Sequence, residues 1–335
     1  MADEEKEEQR QAEMEKLPVV LQVHPVFAIA PIEDRYLKKF RFLKAWESSM
    51  PLDLFLTTHA QSVRALLCSG GTGIPVTADV LRFLPSLRCI VTTSAGLNHI
   101  DLAECRRRGI AIANSGDAFS EDVADYAIGL LLDVLRRISA ANRYVRQGLW
   151  PTQGEYPLGS RLGGKRVGIV GLGHIGSEVA KRLVAFGCSV SYNSRKKKPF
   201  VAFPYYSDVL DLAANSDVLI VCCALTKETH HIINRDVLLA LGEKGVIVNV
   251  GRGAHIDEKE LIHCLVQGEI GGAGLDVYEN EPHVPKELLA LDNVVLSPHR
   301  AVFTPESFLS LHDVLIANLE AFFSDKPLLS EVKDE

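Results

Sequence analysis

No apolar run in the sequence reaches the roughly 18 residues that a membrane helix needs. The first residues have neither the apolar core of a secretory signal nor the Arg- and Ser-rich, acid-poor composition of a transit peptide. The last four, Val332-Lys333-Asp334-Glu335, match neither an ER-retrieval nor a peroxisomal ending. A cytoplasmic protein with no membrane partner is therefore expected. An excess of positive charge is missing too. The net charge of −7 argues against binding nucleic acid, and the cluster Arg195-Lys196-Lys197-Lys198 is too local to change that. The seven cysteines are scattered and odd in number, with no CxxC spacing, and Cys222-Cys223 falls inside an apolar run. That excludes a disulfide framework and predicts reduced core residues. His230-His231 has no carboxylate or cysteine at ligand spacing beside it, so no metal is expected.

What is present begins with length. The 335 residues suggest two domains, and a 47% hydrophobic content is ample for two cores. Residues 1–16 hold seven acidic and three basic side chains and read as a solvated acidic tail. Beyond them, buried strands are predicted at 19–26, 65–69, 89–94 and 110–114, with helices at 77–84 and 101–108 between Pro and Gly joins. A long helix is predicted over 120–147, with Ser120 as N-cap and Glu121 and Asp122 in its first turn, where the helix dipole favours carboxylates. Residues 127–132 are apolar on nearly every face, so this helix should be buried on several sides. A second round of alternation places strands at 167–170, 190–193, 217–224, 246–250, 272–278 and 294–297, with helices covering both faces of a parallel sheet. Thr304 and Pro305 open a last helix reaching about residue 323, which is expected to fold back on the first domain. The expected organisation is α/β: a discontinuous substrate-binding domain, residues 17–118 plus 300–330, a nucleotide-binding domain, residues 119–299, and the active site in the cleft between them.

The nucleotide assignment rests on Arg166-Val167-Gly168-Ile169-Val170-Gly171-Leu172-Gly173-His174-Ile175-Gly176. An apolar strand runs into a glycine-spaced turn and an amphipathic segment follows. Gly171 permits the tight turn, Gly173 lets backbone approach a pyrophosphate, and Gly176 lets the next helix pack closely. Amides at that helix start then face phosphate charge. About twenty residues on, where a carboxylate would hold a ribose 2′-hydroxyl, the chain has Asn193-Ser194-Arg195-Lys196. A hydroxyl and two cations suit a 2′-phosphate better, which predicts NADPH over NADH.

Three side chains after successive predicted strands carry candidate chemistry. Arg252, between Gly251 and Gly253, can hold a 2-keto carboxylate in a bidentate fork and polarise the adjacent carbonyl, and the flanking glycines would let substrate and nicotinamide come near the backbone. His299, after Pro298, can donate the proton that a reduced carbonyl needs. Glu281 can orient that ring and favour its charged form.

Four motifs together resemble the D-2-hydroxyacid dehydrogenases over about residues 18–329: Gly171-Leu172-Gly173-His174-Ile175-Gly176, Asn249-Val250-Gly251-Arg252-Gly253, Gly272-Ala273-Gly274-Leu275-Asp276-Val277-Tyr278-Glu279-Asn280-Glu281-Pro282, and Ser297-Pro298-His299. Within that family the resemblance is nearest to plant-type glyoxylate/hydroxypyruvate reductases and hydroxyphenylpyruvate reductases. It implies two Rossmann-like doubly wound parallel-sheet domains in a homodimer, with Arg252 on the substrate and Glu281 and His299 as the acid/base pair. By the same resemblance Asp276 holds the nicotinamide carboxamide with Val250 beside it, Val123 of Asp122-Val123-Ala124-Asp125 lies against the nicotinamide, and Ala95 and Gly96 of Ser94-Ala95-Gly96-Leu97 grip the substrate carboxylate through their amides. The sequence departs from the family at His174, commonly arginine, at Ala95 and Asn98, and at Arg300-Ala301-Val302-Phe303, where small residues are usual. The extra cation and ring favour a small 2-keto acid, glyoxylate or hydroxypyruvate, over hydroxyphenylpyruvate. A corepressor-like NAD(P)-sensing scaffold is the alternative of another class.

Overall fold

Strands buried on both faces dominate both halves of the chain. The computed structural model describes residues 16–25, 38–70 and 73–333. The acidic tail up to Glu15, and Val26 at the end of the first predicted strand, lie outside the described residues. The chain forms two compact units, one ending at Phe119 and resuming at Thr304, the other spanning Ser120–Phe303.

The first unit carries a five-stranded parallel sheet: β1 (Val19–Gln22), β2 (Arg41–Lys44), β3 (Ala65–Cys68), β4 (Cys89–Thr92) and β5 (Ala111–Ala113), in the order β2-β1-β3-β4-β5. This is a doubly wound order with its switch between β1 and β3. Every residue of β3 and β4 is buried, which explains their unbroken apolar reading. Leu66, Leu81, Leu87 and Ile90 are fully buried among the core side chains, each contributing roughly 1.5–3 kcal/mol of apolar burial. β2, Arg-Phe-Leu-Lys, was not anticipated; it is a short edge strand with charged ends and no buried residue. The helix Pro305–Phe323 belongs to this unit and packs on β4, with the Thr304 hydroxyl accepting the Ser307 N–H at 3.0 Å as its cap.

The second unit carries β6 (Arg166–Val170), β7 (Ser189–Asn193), β8 (Tyr205–Tyr206), β9 (Val218–Val221), β10 (Val246–Asn249), β11 (Gly272–Leu275) and β12 (Val294–Leu296), all parallel, in the order β12-β11-β10-β9-β6-β7-β8. The chain leaves β6 in one direction through β7 and β8, then returns to build β9 on the other side. The β6/β9 gap is therefore the switch point, where strand ends open a crevice for a ligand. Because all the strands are parallel, the turns leaving β6, β7, β10, β11 and β12 share one edge of the sheet.

The helix predicted over 120–147 is two helices, Ser120–Arg136 and Ile138–Arg146, broken at Arg137, whose φ of +57° is left-handed. The Asp133 carboxylate accepts the Ser139 N–H at 2.7 Å and its hydroxyl at 2.5 Å. That local side-chain bonding competes with continuing the helix. Ala127 and Leu131 are fully buried, because Ser120–Arg136 packs against β10, β11, β12 and the helix His174–Ala185. A Cβ on Gly272 would sit 2.8 Å from Val134, so β11 approaches this helix only as glycine. None of the seven cysteines forms a disulfide. Among the described residues no helix is long and apolar enough to cross a membrane.

Candidate active site

The β6 turn is built by glycines. Gly171 has φ +99°, and a Cβ there would stand 2.5 Å from the Cys223 backbone, while one on Gly176 would collide with the Gly171 carbonyl. At Gly173, by contrast, a Cβ would meet nothing within 4 Å. Gly173 is also the N-cap of the twelve-residue helix His174–Ala185, and no side chain caps its first amides. Those N–H groups consequently present partial positive charge to open space, an arrangement that suits a phosphate. Leu172 is buried behind the turn, and Ile175 is half-buried. His174 stands exposed on the first helical turn.

At the exit of β7 no carboxylate is present. The Asn193 amide donates to the Tyr206 and Ser207 carbonyls, and the Ser194 hydroxyl donates to the Lys196 carbonyl at 2.7 Å. Arg195 and Lys196 follow, exposed. The glycine cradle fits the pyrophosphate of a nicotinamide dinucleotide.

β10 delivers Val250, buried, and then Arg252, half-buried. Burial pushes the Arg252 pKa below its ordinary value, and the Glu281 charge opposes that shift. The flanking glycines make room for neighbouring protein atoms. A Cβ on Gly251 would sit 2.8 Å from the His255 ring, and one on Gly253 would run into the Tyr278 backbone. Packing within the protein thus requires both glycines in its own right.

β11 and β12 deliver Glu281 and His299. Glu281 Oε2 lies 2.8 Å from His299 Nδ1, and Glu281 Oε1 accepts the Tyr278 N–H at 3.1 Å. Burial raises the Glu281 pKa, but the His299 and Tyr278 hydrogen bonds and the His299 and Arg252 charges outweigh it, so the net shift is downward. His299 adopts φ +52°, a left-handed conformation that costs a non-glycine residue about 1 kcal/mol or more. Asp276, almost fully buried, holds it there. Its carboxylate accepts the Ser297 hydroxyl at 2.5 Å, the Arg300 N–H at 2.8 Å and the Ala301 N–H at 3.0 Å, and its carbonyl accepts the His299 N–H at 2.8 Å.

The second unit therefore gathers Arg252, Asp276, Glu281 and His299 on one sheet edge. Val123 is buried near the start of the helix Ser120–Arg136. Ala95 and Gly96 belong to the first unit, in the loop leaving β4, where the Ala95 carbonyl accepts from Asn114 and the Ser94 hydroxyl accepts the Gly70 N–H. Asn249 and Ser297 open two of the motifs quoted from the sequence, which assigns them no role, and His255 is not among the residues it names; its local signal is a position three residues from Arg252. His231 does have carboxylates nearby in space, Glu279 at 2.5 Å and Asp257 at 3.8 Å, supplied by distant segments. Even so, among the described residues no group of three His, Cys, Asp or Glu side chains is arranged to hold a metal ion.

Residues 128–301 match the family described as D-isomer specific 2-hydroxyacid dehydrogenase, NAD binding domain. The chain belongs to the D-2-hydroxyacid dehydrogenase family. It is 57% identical over 323 residues to a glyoxylate/hydroxypyruvate reductase of Arabidopsis thaliana, covering 96% of this chain and 99% of the relative. It is also 48% identical over 301 residues to the hydroxyphenylpyruvate reductase of Plectranthus scutellarioides, covering 90% and 95%. Among solved structures, the NADPH-dependent glyoxylate/hydroxypyruvate reductase of Sinorhizobium meliloti, in complex with NADP and malonate, superposes with a TM-score of 0.85 at 36% identity over 94% of this chain and 96% of that one.

Proposed function

We propose that the protein reduces a small 2-keto acid, glyoxylate or hydroxypyruvate, to the D-2-hydroxy acid with NADPH. The observation that carries this is the His299–Glu281 pair at 2.8 Å, with Arg252 close enough for its charge to be felt at Glu281. Arg252 binds the substrate carboxylate and polarises the keto oxygen, helped by the Ala95 and Gly96 amides. With Nδ1 engaged by Glu281, His299 has Nε2 to carry the proton that the new hydroxyl receives. When bound, the reduced nicotinamide supplies the hydride. Gly171 to Gly176 hold its pyrophosphate, Ser194, Arg195 and Lys196 its 2′-phosphate, and Val123 and Val250 its ring. Asp276 spends most of its acceptor capacity on the turn that carries His299; Oδ2, with one bond from Ala301, keeps a lone pair for the carboxamide.

Support for a small substrate comes from the exit of β12, where the Arg300 guanidinium stacks over the Phe303 ring at 4.3 Å. The 48% identity to a hydroxyphenylpyruvate reductase favours the aromatic acid as the second reading. Following NADPH and NADH oxidation with glyoxylate, hydroxypyruvate and hydroxyphenylpyruvate in parallel separates the two. Higher kcat/KM for the small acids with NADPH is expected. Preference for the aromatic acid would overturn the substrate, preference for NADH the cofactor, and tight NADPH binding without turnover would favour a sensor. The same reading includes a cytoplasmic homodimer.

A further inference from the structure

Arg252 stands on a backbone gripped from both sides by buried side chains. Asn249 accepts the Gly251 N–H at 3.0 Å and donates to the Arg252 carbonyl at 2.9 Å. His255, with no exposed surface, accepts the Arg252 N–H on Nδ1 at 2.9 Å, and its own N–H donates to the Arg252 carbonyl at 3.1 Å. Both hydrogen-bonding groups of Arg252's main chain are therefore taken by these two residues.

Two observations say that the imidazole is there for its acceptor nitrogen and not to fill space. With Nδ1 accepting, the proton sits on Nε2, which is buried beside the Ala224 carbonyl without a hydrogen bond of good geometry. An apolar side chain would avoid that cost. Second, a charged ring could not accept at Nδ1. Burial holds the His255 pKa below its ordinary value and the Arg252 charge pushes the same way, against the Ala224 and Arg252 backbone groups, so the ring is neutral.

We propose that His255 is a positioning residue for substrate recognition: its Nδ1, opposed by Asn249, fixes the Arg252 backbone so that the guanidinium is presented to the keto-acid carboxylate. This rests on the reading of Arg252 as the substrate-binding arginine. Asparagine can place an acceptor near the position of Nδ1, whereas glutamine reaches towards Nε2 and leucine has none.

The test compares His255→Asn, His255→Gln and His255→Leu, with Arg252→Met as reference. The readouts are kcat and KM with glyoxylate and hydroxypyruvate, oxalate affinity by calorimetry on NADPH-saturated protein, and NADPH affinity by its fluorescence. For His255→Gln and His255→Leu, KM is expected to rise and oxalate affinity to fall by about tenfold to hundredfold, with NADPH affinity within about twofold of wild type. His255→Asn should restore KM and oxalate affinity to within about threefold. If the leucine variant fails to fold, the glutamine variant carries the comparison. Unchanged KM in the glutamine variant, an asparagine variant as impaired as it, or a parallel loss of NADPH affinity would each overturn the proposal. Wild-type KM and oxalate affinity in Arg252→Met would overturn the arginine's own role. A collapse in Arg252→Met alone would overturn only the clamp.

Discussion

The turns leaving β10 and β12 face related tasks and are held in opposite ways. Behind His299 sits a charge: buried Asp276 accepts from Ser297, Arg300 and Ala301 and fixes a left-handed residue. Behind Arg252 sit only neutral groups, the Asn249 carboxamide and the His255 ring. A carboxylate can gather several N–H and O–H donors strongly enough to hold strained backbone. The same carboxylate under Arg252 would pair with the guanidinium and spend the charge that a substrate needs. A neutral clamp orients the arginine without neutralising it. The β10 turn also touches the one leaving β11, since Gly253 packs on the Tyr278 backbone, and Glu281, which follows in that turn, couples electrostatically to both His299 and Arg252.

The contrast is most directly broken at His299, the proposed proton donor. His299→Gln should lower kcat by roughly 10²- to 10⁴-fold while NADPH still binds; single-turnover kinetics and fluorescence titration measure both, and near-wild-type turnover would remove His299 from the chemistry.

A second test separates the two clamps. Asp276→Asn replaces an acceptor by an amide that meets the Ala301 N–H or the Ser297 and Arg300 donors as donor to donor. Its expected cost is about 1–3 kcal/mol, or several degrees in Tm, with kcat about tenfold lower because His299 is displaced. KM should move less. The neutral clamp behaves the other way, moving KM through Arg252. If Asp276→Asn and His255→Gln change the same kinetic parameter, the division of labour between the turns is wrong.

The parts of this arrangement that were legible in the sequence are those written in short windows. The glycine spacing from Gly171 to Gly176, the absence of a carboxylate after Asn193, and Arg252, Glu281 and His299 behind apolar runs can each be read without knowing what lies across the sheet. The clamps could not be read that way. Ser297 and Asp276 are twenty-one residues apart and meet only because β11 and β12 are neighbours. Asn249 looks like the end of a strand until its amide is seen to close on Arg252. Edge strands β2 and β8 were invisible for another reason: with four and two residues and no fully buried position, they carry no periodic signal. The break at Arg137 interrupts an otherwise helical pattern through the Asp133–Ser139 contacts, a local competition that apolar periodicity does not register.

The smallest expected effect belongs to the group between the two turns. The folded-state pKa of Glu281 lies below its ordinary value, so the folded protein binds the carboxylate's proton less readily than the unfolded chain does. Stability from this group is then fully present above the ordinary carboxylate range and is lost as pH falls through 4.5 and on through the lowered folded value. Glu281→Gln removes the titration. The Tm difference between wild type and this variant should be largest near neutral pH and shrink steadily below about pH 4.5. It should also be modest, because the pair is partly solvated, with a third or more of each side chain exposed. A gap that widened on acidification would mean that burial outweighs the His299 and Arg252 contacts, leaving Glu281 to hold neither turn by its charge.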